Sequence, residues 1–481
     1  MENWLKKRVL LSPNKIAIQA GNTKLTFKEV SDRVAVLAAR LANKSRKEMR
    51  VALLTALLTN NTIDGYLMIL SLQQLGCEIV FLNKRLSHEE LQYQLEDAAV
   101  SLLIYDESLL HEEFVGIESL TFNQIKGLEE NQNFQLVSEF NDDEVTTIMY
   151  TSGTTGKPKG VQQTFKNHFY SAISSALNLG LTDKDNWLCA VPIFHISGLS
   201  IIMRGLIYGM TVTLMDKFDA EKVTSLLKKS SVSTMSVVPT MLQQLLEIFP
   251  QEGYNSNFRC FLLGGGPIDK VTLERCQQLN IPVIQSYGMT ETASQVIALN
   301  FEDAENKIGS VGKPLFSVEL KLAHDGEVLL KAPNITPGYF NNPEKNQEVF
   351  EDGWFKTGDI GYLDEDGFLY LKGRKGDMII SGGENIFPHE VEESYLKLTG
   401  VKDIVVAGIT DKKWGQVPVA FVILERKLSQ QELISYGREH LAHYKVPVRF
   451  YQVMSYPQTA SGKVKRRELI QIKEYQKNLI K

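Results

Sequence analysis

Residues Tyr150 to Gly160 read YTSGTTGKPKG, and the rest of the chain is best read outward from this stretch. Two adjacent hydroxyl pairs, three glycines and two lysines fall within it. Glycine admits positive φ and close backbone approach, so successive N–H groups can cup an anion. The apolar run Val145 to Met149 reads as a strand feeding the loop. A Walker A loop has four variable residues between its first glycine and the Gly-Lys pair, with Ser or Thr after the lysine. Here Gly153 and Gly156 are separated by two residues and Pro158 follows Lys157, so a metal serving bound phosphates needs another ligand. An ordinary polar surface loop is the competing reading, and partners further down the chain weigh against it.

A chain of 481 residues is too long for one ordinary core and points to two or more domains. Hydrophobic content of 43% with 23% charged residues is that of a soluble globular protein. A net charge of −5 and a pI near 6.0 argue against a dedicated nucleic-acid binder. Cys77, Cys189, Cys260 and Cys276 stand in no metal-ligand or redox spacing and fit a reducing cytoplasm. The start, MENWLKKRVLLSPNK, has too short an apolar stretch for a signal peptide. No run reaches the roughly 18 apolar residues of a membrane helix. The expectation is a cytoplasmic protein without membrane insertion or nucleic-acid partner; the sequence leaves a homo-oligomer open.

Strand-like runs at Val51–Leu57, Glu78–Phe81 and Ser101–Tyr105 alternate with helix-like segments, one opened by the capping-box pattern Ser87 to Glu90. The rhythm continues through Thr211–Met215, Ser233–Val238 and Cys260–Leu263, which implies α/β layers with partly parallel sheets. From about Val311 the texture shifts to short strands and tight turns, the mark of a smaller β subdomain. After Arg374 a compact α/β pattern resumes, with strands at Val401–Ile409 and Val417–Leu424. A helix follows from the capping box Ser429 to Glu432 to near Tyr444. The joining segment GRKGDMIISGGEN holds four glycines and tolerates large backbone rotation, so the boundary falls there, giving domains 1–374 and 375–481.

Further motifs acquire weight from occurring together. Leu263 to Pro267 is LGGGP, a strand entering a glycine turn on which a flat ring can pack. Ser286 to Thr292 is SYGMTET, offering Tyr287 as a stacking face and Glu291 as a lone carboxylate. Thr357 to Asp359 is TGD, with Asp359 placed to bind vicinal hydroxyls and Arg374 to serve the same sugar. Thr459 to Lys465 is TASGKVK, a second loop presenting a lysine. Each alone reads as a turn or a solvated charge; the ordered set does not arise by chance.

This constellation resembles the adenylate-forming superfamily of acyl- and aryl-CoA ligases, luciferase-like enzymes and peptide-synthetase adenylation domains, over essentially the whole chain. The resemblance implies an α/β fold. Its large amino-terminal domain has two sheet-and-helix subdomains plus a β-barrel-like subdomain, and a small mobile α+β domain caps it. It implies that a carboxylate attacks the α-phosphate of ATP, so positioning and charge neutralisation supply most of the catalysis. Thr151, Ser152, Gly153, Thr154, Thr155 and Gly156 would wrap the departing pyrophosphate, with Lys157 and Lys159 adding charge. Glu291 would hold Mg2+. Gly264, Gly265, Gly266 and Tyr287 would sandwich adenine, while Asp359 and Arg374 fix the ribose. Lys463 would bridge carboxylate and phosphate when the small domain closes. After that domain turns about Gly376, coenzyme A would enter along Gly382 and Gly383. The family's pivot is usually Asp or Lys, so a polar contact locking one orientation is in doubt here.

The acid pocket would be lined by Val191 to Gly209, with Gly288 and Thr290 also at the substrate. Amino-acid-activating relatives carry Phe-Asp where this chain has Phe194-His195, so an α-amino acid is disfavoured; His195 would gate or line the acyl site, a satisfied half-buried histidine being the competing reading. Arg204 sits in an apolar helical run from Leu199 to Ile207, where an unpaired guanidinium is costly. Either a protein carboxylate pairs with it or the substrate brings a second carboxylate. The runs FHISGLSIIMRGLIYG and SGGENIFPHEVE, with the short chain, resemble the branch of the family whose aromatic acid carries such a spectator carboxylate. Another aryl- or acyl-CoA ligase, or an adenylation module loading a carrier protein, stays open.

Overall fold

The structure, a computed structural model, describes residues 1–44, 50–54, 61–83, 85–109, 114–151, 158–266, 268–458 and 464–480. It divides into two compact units, Met1–Glu319 with Lys331–Phe355, and Leu320–Leu330 with Lys356–Lys481. By compactness, residues 356–374 group with the second unit, whereas the sequence boundary at Arg374 assigns them to the first. The physical reason is pairing: Trp354–Leu363 and Leu369–Arg374 form an antiparallel hairpin whose first strand also pairs with Glu327–Lys331.

Two sheets organise the first unit. One orders its described strands Glu118–Thr121, Leu102–Tyr105, Arg50–Leu54, Glu78–Phe81, Val145–Thr151 and Lys159–Thr164, parallel except for the last pair. The other runs Lys313–Pro314, Ser294–Ala298, Val283–Met289, Cys260–Leu263, Thr234–Val237, Asn186–Cys189, Thr211–Leu214, Ile16–Ala20, Thr23–Thr26. Its centre is parallel and its edges antiparallel. The parallel strands are buried on both faces, as CFLL at Cys260–Leu263 shows, because helices cover such sheets. Phe27–Leu41 is one of them: Thr26 and Glu29 cap it reciprocally, and Phe27, Val30, Val34, Leu37 and Leu41 line its buried face at helical spacing. The Ser87–Glu90 box forms as expected. Ligands in such sheets bind outside the carboxyl ends of the strands. The loops leading from Val145–Thr151, Asn186–Cys189 and Cys260–Leu263 are the ones that carry the sequence motifs.

The second unit pairs Val401–Asp411 with Gly415–Leu424, flanked by Ile379–Ser381, Glu384–Ile386 and Phe450–Gln452. Helices Pro388–Tyr395 and Gln430–His440 close one face over Ile404, Val406, Ala420, Val422 and Phe450. The second helix ends at His440, not near Tyr444, because Leu441 turns extended (φ −133°) and a short 3-10 turn takes His443–Lys445. All four cysteines are free and buried. Among the described residues, no helix is long and apolar enough to cross a membrane.

Candidate active site

Thr151 and Lys159 face each other across the antiparallel hairpin Val145–Thr151/Lys159–Thr164. The glycine-rich loop thus joins two strands, where a Walker A loop joins a strand to a helix. Ser152, Gly153, Thr154, Thr155, Gly156 and Lys157 lie outside the described residues, and so does Lys463.

Lys159 stands with its ammonium 5.7 Å from the Tyr339 ring centroid, and the Tyr339 hydroxyl donates to Glu291 Oε1 at 2.9 Å. Burial, and after it the neighbouring Lys345, holds the Lys159 ammonium below its ordinary range. Glu291 lies in a 3-10 turn, Thr290–Thr292, fixed on both sides. Its carbonyl accepts the Thr336 N–H at 2.7 Å, Asn334 donates to the Thr292 carbonyl at 2.9 Å, and Gln163 donates to the Thr290 carbonyl at 3.1 Å. Among the described residues no group of three His, Cys, Asp or Glu forms a cage. A single tethered carboxylate fits Mg2+, which is commonly held by one or two carboxylates plus substrate phosphates.

The hairpin Val283–Met289/Ser294–Ala298 carries Tyr287, Gly288 and, at its tip, Thr290 and Glu291. The strands approach so closely that a Cβ on Gly288 would lie 2.1 Å from the Ser294 carbonyl oxygen, so no other residue fits. Gly264 to Gly266 begin where Cys260–Leu263 ends, against Val238 and Pro239, and Ser286 Oγ donates to the Leu263 carbonyl at 2.9 Å. Tyr287 and the glycine turn thus spring from adjacent parallel strands.

His195 stands at the N-cap position of the helix Ile196–Tyr208, its ring 4.6 Å from that of Phe194. The loop before it hangs on Asn61, which accepts the Ile193 N–H at 3.0 Å and donates to the Val191 carbonyl at 2.9 Å. Arg204, on the same helix, is 1% exposed. Its Nη2 donates to Ser294 Oγ at 3.2 Å, and its guanidinium lies 5.2 Å from the Trp187 ring centroid. Nε meets no acceptor, and among the described residues no carboxylate pairs with the group. Burial pulls its pKa down, opposed by contact with the Tyr208 hydroxyl. Of the two partners weighed for Arg204, the described structure supplies no protein carboxylate.

In the second unit, register sets Asp359 opposite Arg374, and Arg374 Nε donates to Asp359 Oδ1 at 2.7 Å. Asp359 is buried while Arg374 is 42% exposed, so the pair presents one accessible edge. Gly382 and Gly383 form the positive-φ turn of the hairpin Ile379–Ser381/Glu384–Ile386. A Cβ on Gly382 would meet the Trp414 ring at 2.7 Å. Gly376 lies in the 3-10 turn Lys375–Asp377, outside the positive-φ set.

Tyr339, Asn61 and Glu327 were not singled out from sequence. Tyr339 sits in ITPGYFNN, whose proline and glycine mark only a turn. Nothing local shows that this turn clamps Lys159–Thr164, through Phe340 N–H to the Gly160 carbonyl at 2.7 Å.

A glycine-rich hairpin loop beside a lysine, a tethered carboxylate and a ring-stacking turn can hold a polyphosphate nucleotide with a divalent cation. The chain belongs to the AMP-binding enzyme family, whose model matches residues 5–340, with the family's carboxy-terminal domain matching 390–463. Among its relatives, the 2-succinylbenzoate–CoA ligase of Listeria monocytogenes is 50% identical, covering 98% of this chain and 99% of that one. The o-succinylbenzoate–CoA synthetase of Bacillus subtilis, solved with its acyl-adenylate intermediate, is 42% identical. Its TM-score is 0.92, with 98% of each chain covered. The same synthetase with ATP and magnesium ion also matches at a TM-score of 0.92 and 42% identity, covering 98% of this chain and 99% of that one.

Proposed function

We propose that this chain is an AMP-forming acid–thiol ligase that activates 2-succinylbenzoate with ATP and passes the acyl group to coenzyme A, a step of menaquinone biosynthesis. The observation that carries the choice of acid is Arg204. It is a buried cation with no carboxylate of its own among the described residues, on the helix that His195 opens and touching the hairpin that bears Glu291. Relatives that cover nearly the whole chain bear the name of this activity, and the acyl-adenylate complex is of a chain 42% identical to this one.

In the first half-reaction the activated carboxylate must approach an α-phosphate of like charge. Thr151 to Gly156 and Lys159 hold the β- and γ-phosphates, and Glu291, braced by Tyr339, is the residue to hold Mg2+, which screens phosphate charge. Gly264 to Gly266 and Tyr287 enclose the adenine, and Asp359 with Arg374 takes the ribose. His195, Gly288 and Thr290 line the acyl group, and Arg204 meets the carboxylate that is not activated. Lys463 neutralises the charge that gathers between carboxylate and phosphate. In the second, the 375–481 domain turns about Gly376, Lys463 leaves, and the thiol enters along Gly382 and Gly383, displacing AMP. Four buried, free thiols fit a cytoplasmic enzyme.

ATP–pyrophosphate exchange with a panel of acids tests the substrate. 2-Succinylbenzoate should exceed benzoate, coumarate and octanoate; a monoacid at the top would move the chain to another aryl- or acyl-CoA ligase.

A further inference from the structure

Glu327 opens the strand Glu327–Lys331, is 8% exposed, and uses both carboxylate oxygens. Oε1 accepts the Gly358 N–H at 3.0 Å and Oε2 accepts the Lys375 ammonium at 2.9 Å. Gly358 precedes Asp359 and Lys375 follows Arg374, so one carboxylate ties together the two segments whose side chains meet in the 2.7 Å Asp359–Arg374 pair. Asp325 closes the staple. Its Oδ2 accepts Lys375 at 2.7 Å and its Oδ1 accepts the Glu327 N–H at 3.1 Å. Thr357 completes it, donating to the Val328 carbonyl at 2.8 Å and accepting the Asp359 N–H at 3.1 Å. Hydrogen bonds from Lys375 to Asp325, then to Glu327, hold the ammonium above its ordinary range. An exposed ion pair contributes little, but removing Lys375 leaves the nearly buried Glu327 carboxylate half compensated.

We propose that Glu327 and Lys375 are positioning residues for the ribose clamp. They hold the Gly358–Asp359 turn and Arg374 in the register that receives a nucleotide's vicinal hydroxyls. This deepens the assignment of Asp359 and Arg374 to the ribose and rests on it.

The test is ATP–pyrophosphate exchange with ATP and with 2′-deoxy-ATP, on the full chain and its Lys375→Met, Lys375→Arg and Glu327→Gln variants. The parent should favour ATP. Lys375→Met should raise KM for ATP at least about tenfold, the lower end of what one hydrogen bond to a charged group contributes, with kcat nearly unchanged. Its preference over 2′-deoxy-ATP should shrink by a similar factor, and Lys375→Arg should recover most of it. Glu327→Gln, which keeps an acceptor for Gly358, reports the same coupling should Lys375→Met fail to fold. A folded variant of either kind that keeps the parent's ATP to 2′-deoxy-ATP ratio overturns the proposal. A parent that does not discriminate, with Asp359→Asn also leaving KM for ATP unchanged, would instead remove the ribose assignment and the proposal with it.

Discussion

Replacing Arg204 by methionine keeps a long side chain in the helix Ile196–Tyr208 and deletes the charge. In the structure the guanidinium has Ser294 Oγ, the Tyr208 hydroxyl and the Trp187 face as partners, and among the described residues Nε has none. Losing a cation so poorly compensated should leave stability unchanged or slightly improved, since apolar replacements of buried charges are often neutral or stabilising. Binding should move the other way. One hydrogen bond to the spectator carboxylate, at roughly 1.5–3 kcal/mol for a charged group, puts the loss at about 10- to 150-fold in kcat/KM, and a second would deepen it. The assay is pyrophosphate exchange with 2-succinylbenzoate and with 4-oxo-4-phenylbutanoate, which lacks the ring carboxylate. The variant should lose its advantage for the diacid and keep its rate on the monoacid. Equal losses on both acids, or a lower melting temperature with unchanged discrimination, would show that Arg204 only braces the helix against the Ser294 strand.

Lys463→Ala should nearly abolish adenylation while a supplied acyl-adenylate still reacts with coenzyme A; equal damage to both steps, measured separately, would remove the two-orientation mechanism. Glu291→Gln should raise the Mg2+ concentration needed for half-maximal exchange, and an unchanged metal titration would clear Glu291 as a ligand. Burial lowers the His168 pKa from 6.5 to about 4, its Nε2 lying 2.9 Å from Thr147 Oγ1. The unfolded chain therefore binds a proton that the folded one refuses between those values. The contribution is present above pH 6.5 and lost as pH falls toward 4, about 3 kcal/mol in all. Denaturant melts at pH 7 and pH 5 should show a smaller loss in His168→Gln than in the parent, and equal losses would refute it. Glu392 accepts the Val406 N–H at 2.7 Å and forms a two-pronged pair with Arg466, which starts the helix just after the Lys463 loop. Glu392→Gln should destabilise the second unit by about 3–5 kcal/mol, visible in its melting transition.

What could be read from sequence was what is local. The strand Val145–Thr151 follows from the apolar run that feeds YTSGTTGKPKG, and the Ser87 and Ser429 caps follow from their own neighbours. Asp359 and Arg374 meet because a short hairpin aligns them, so the TGD and GR motifs pointed to one place. The burial of Arg204 was legible from its apolar flanks. The supports were not. Tyr339 reaches Glu291 across 48 residues, and Glu327 reaches Lys375 across the same separation. Such contacts depend on how loops return to a sheet edge, which no periodicity encodes. The helix end at His440 was missed because Leu441 to Tyr444 is as compatible with a helix as with the turn it adopts.

Mass analysis of a reaction holding only this chain, 2-succinylbenzoate, ATP, Mg2+ and coenzyme A addresses the central claim most directly. The expected products are the 2-succinylbenzoyl thioester of coenzyme A with AMP and pyrophosphate in equal amounts. ADP and phosphate as products, or AMP released with no thioester while benzoate or octanoate is converted, would contradict it.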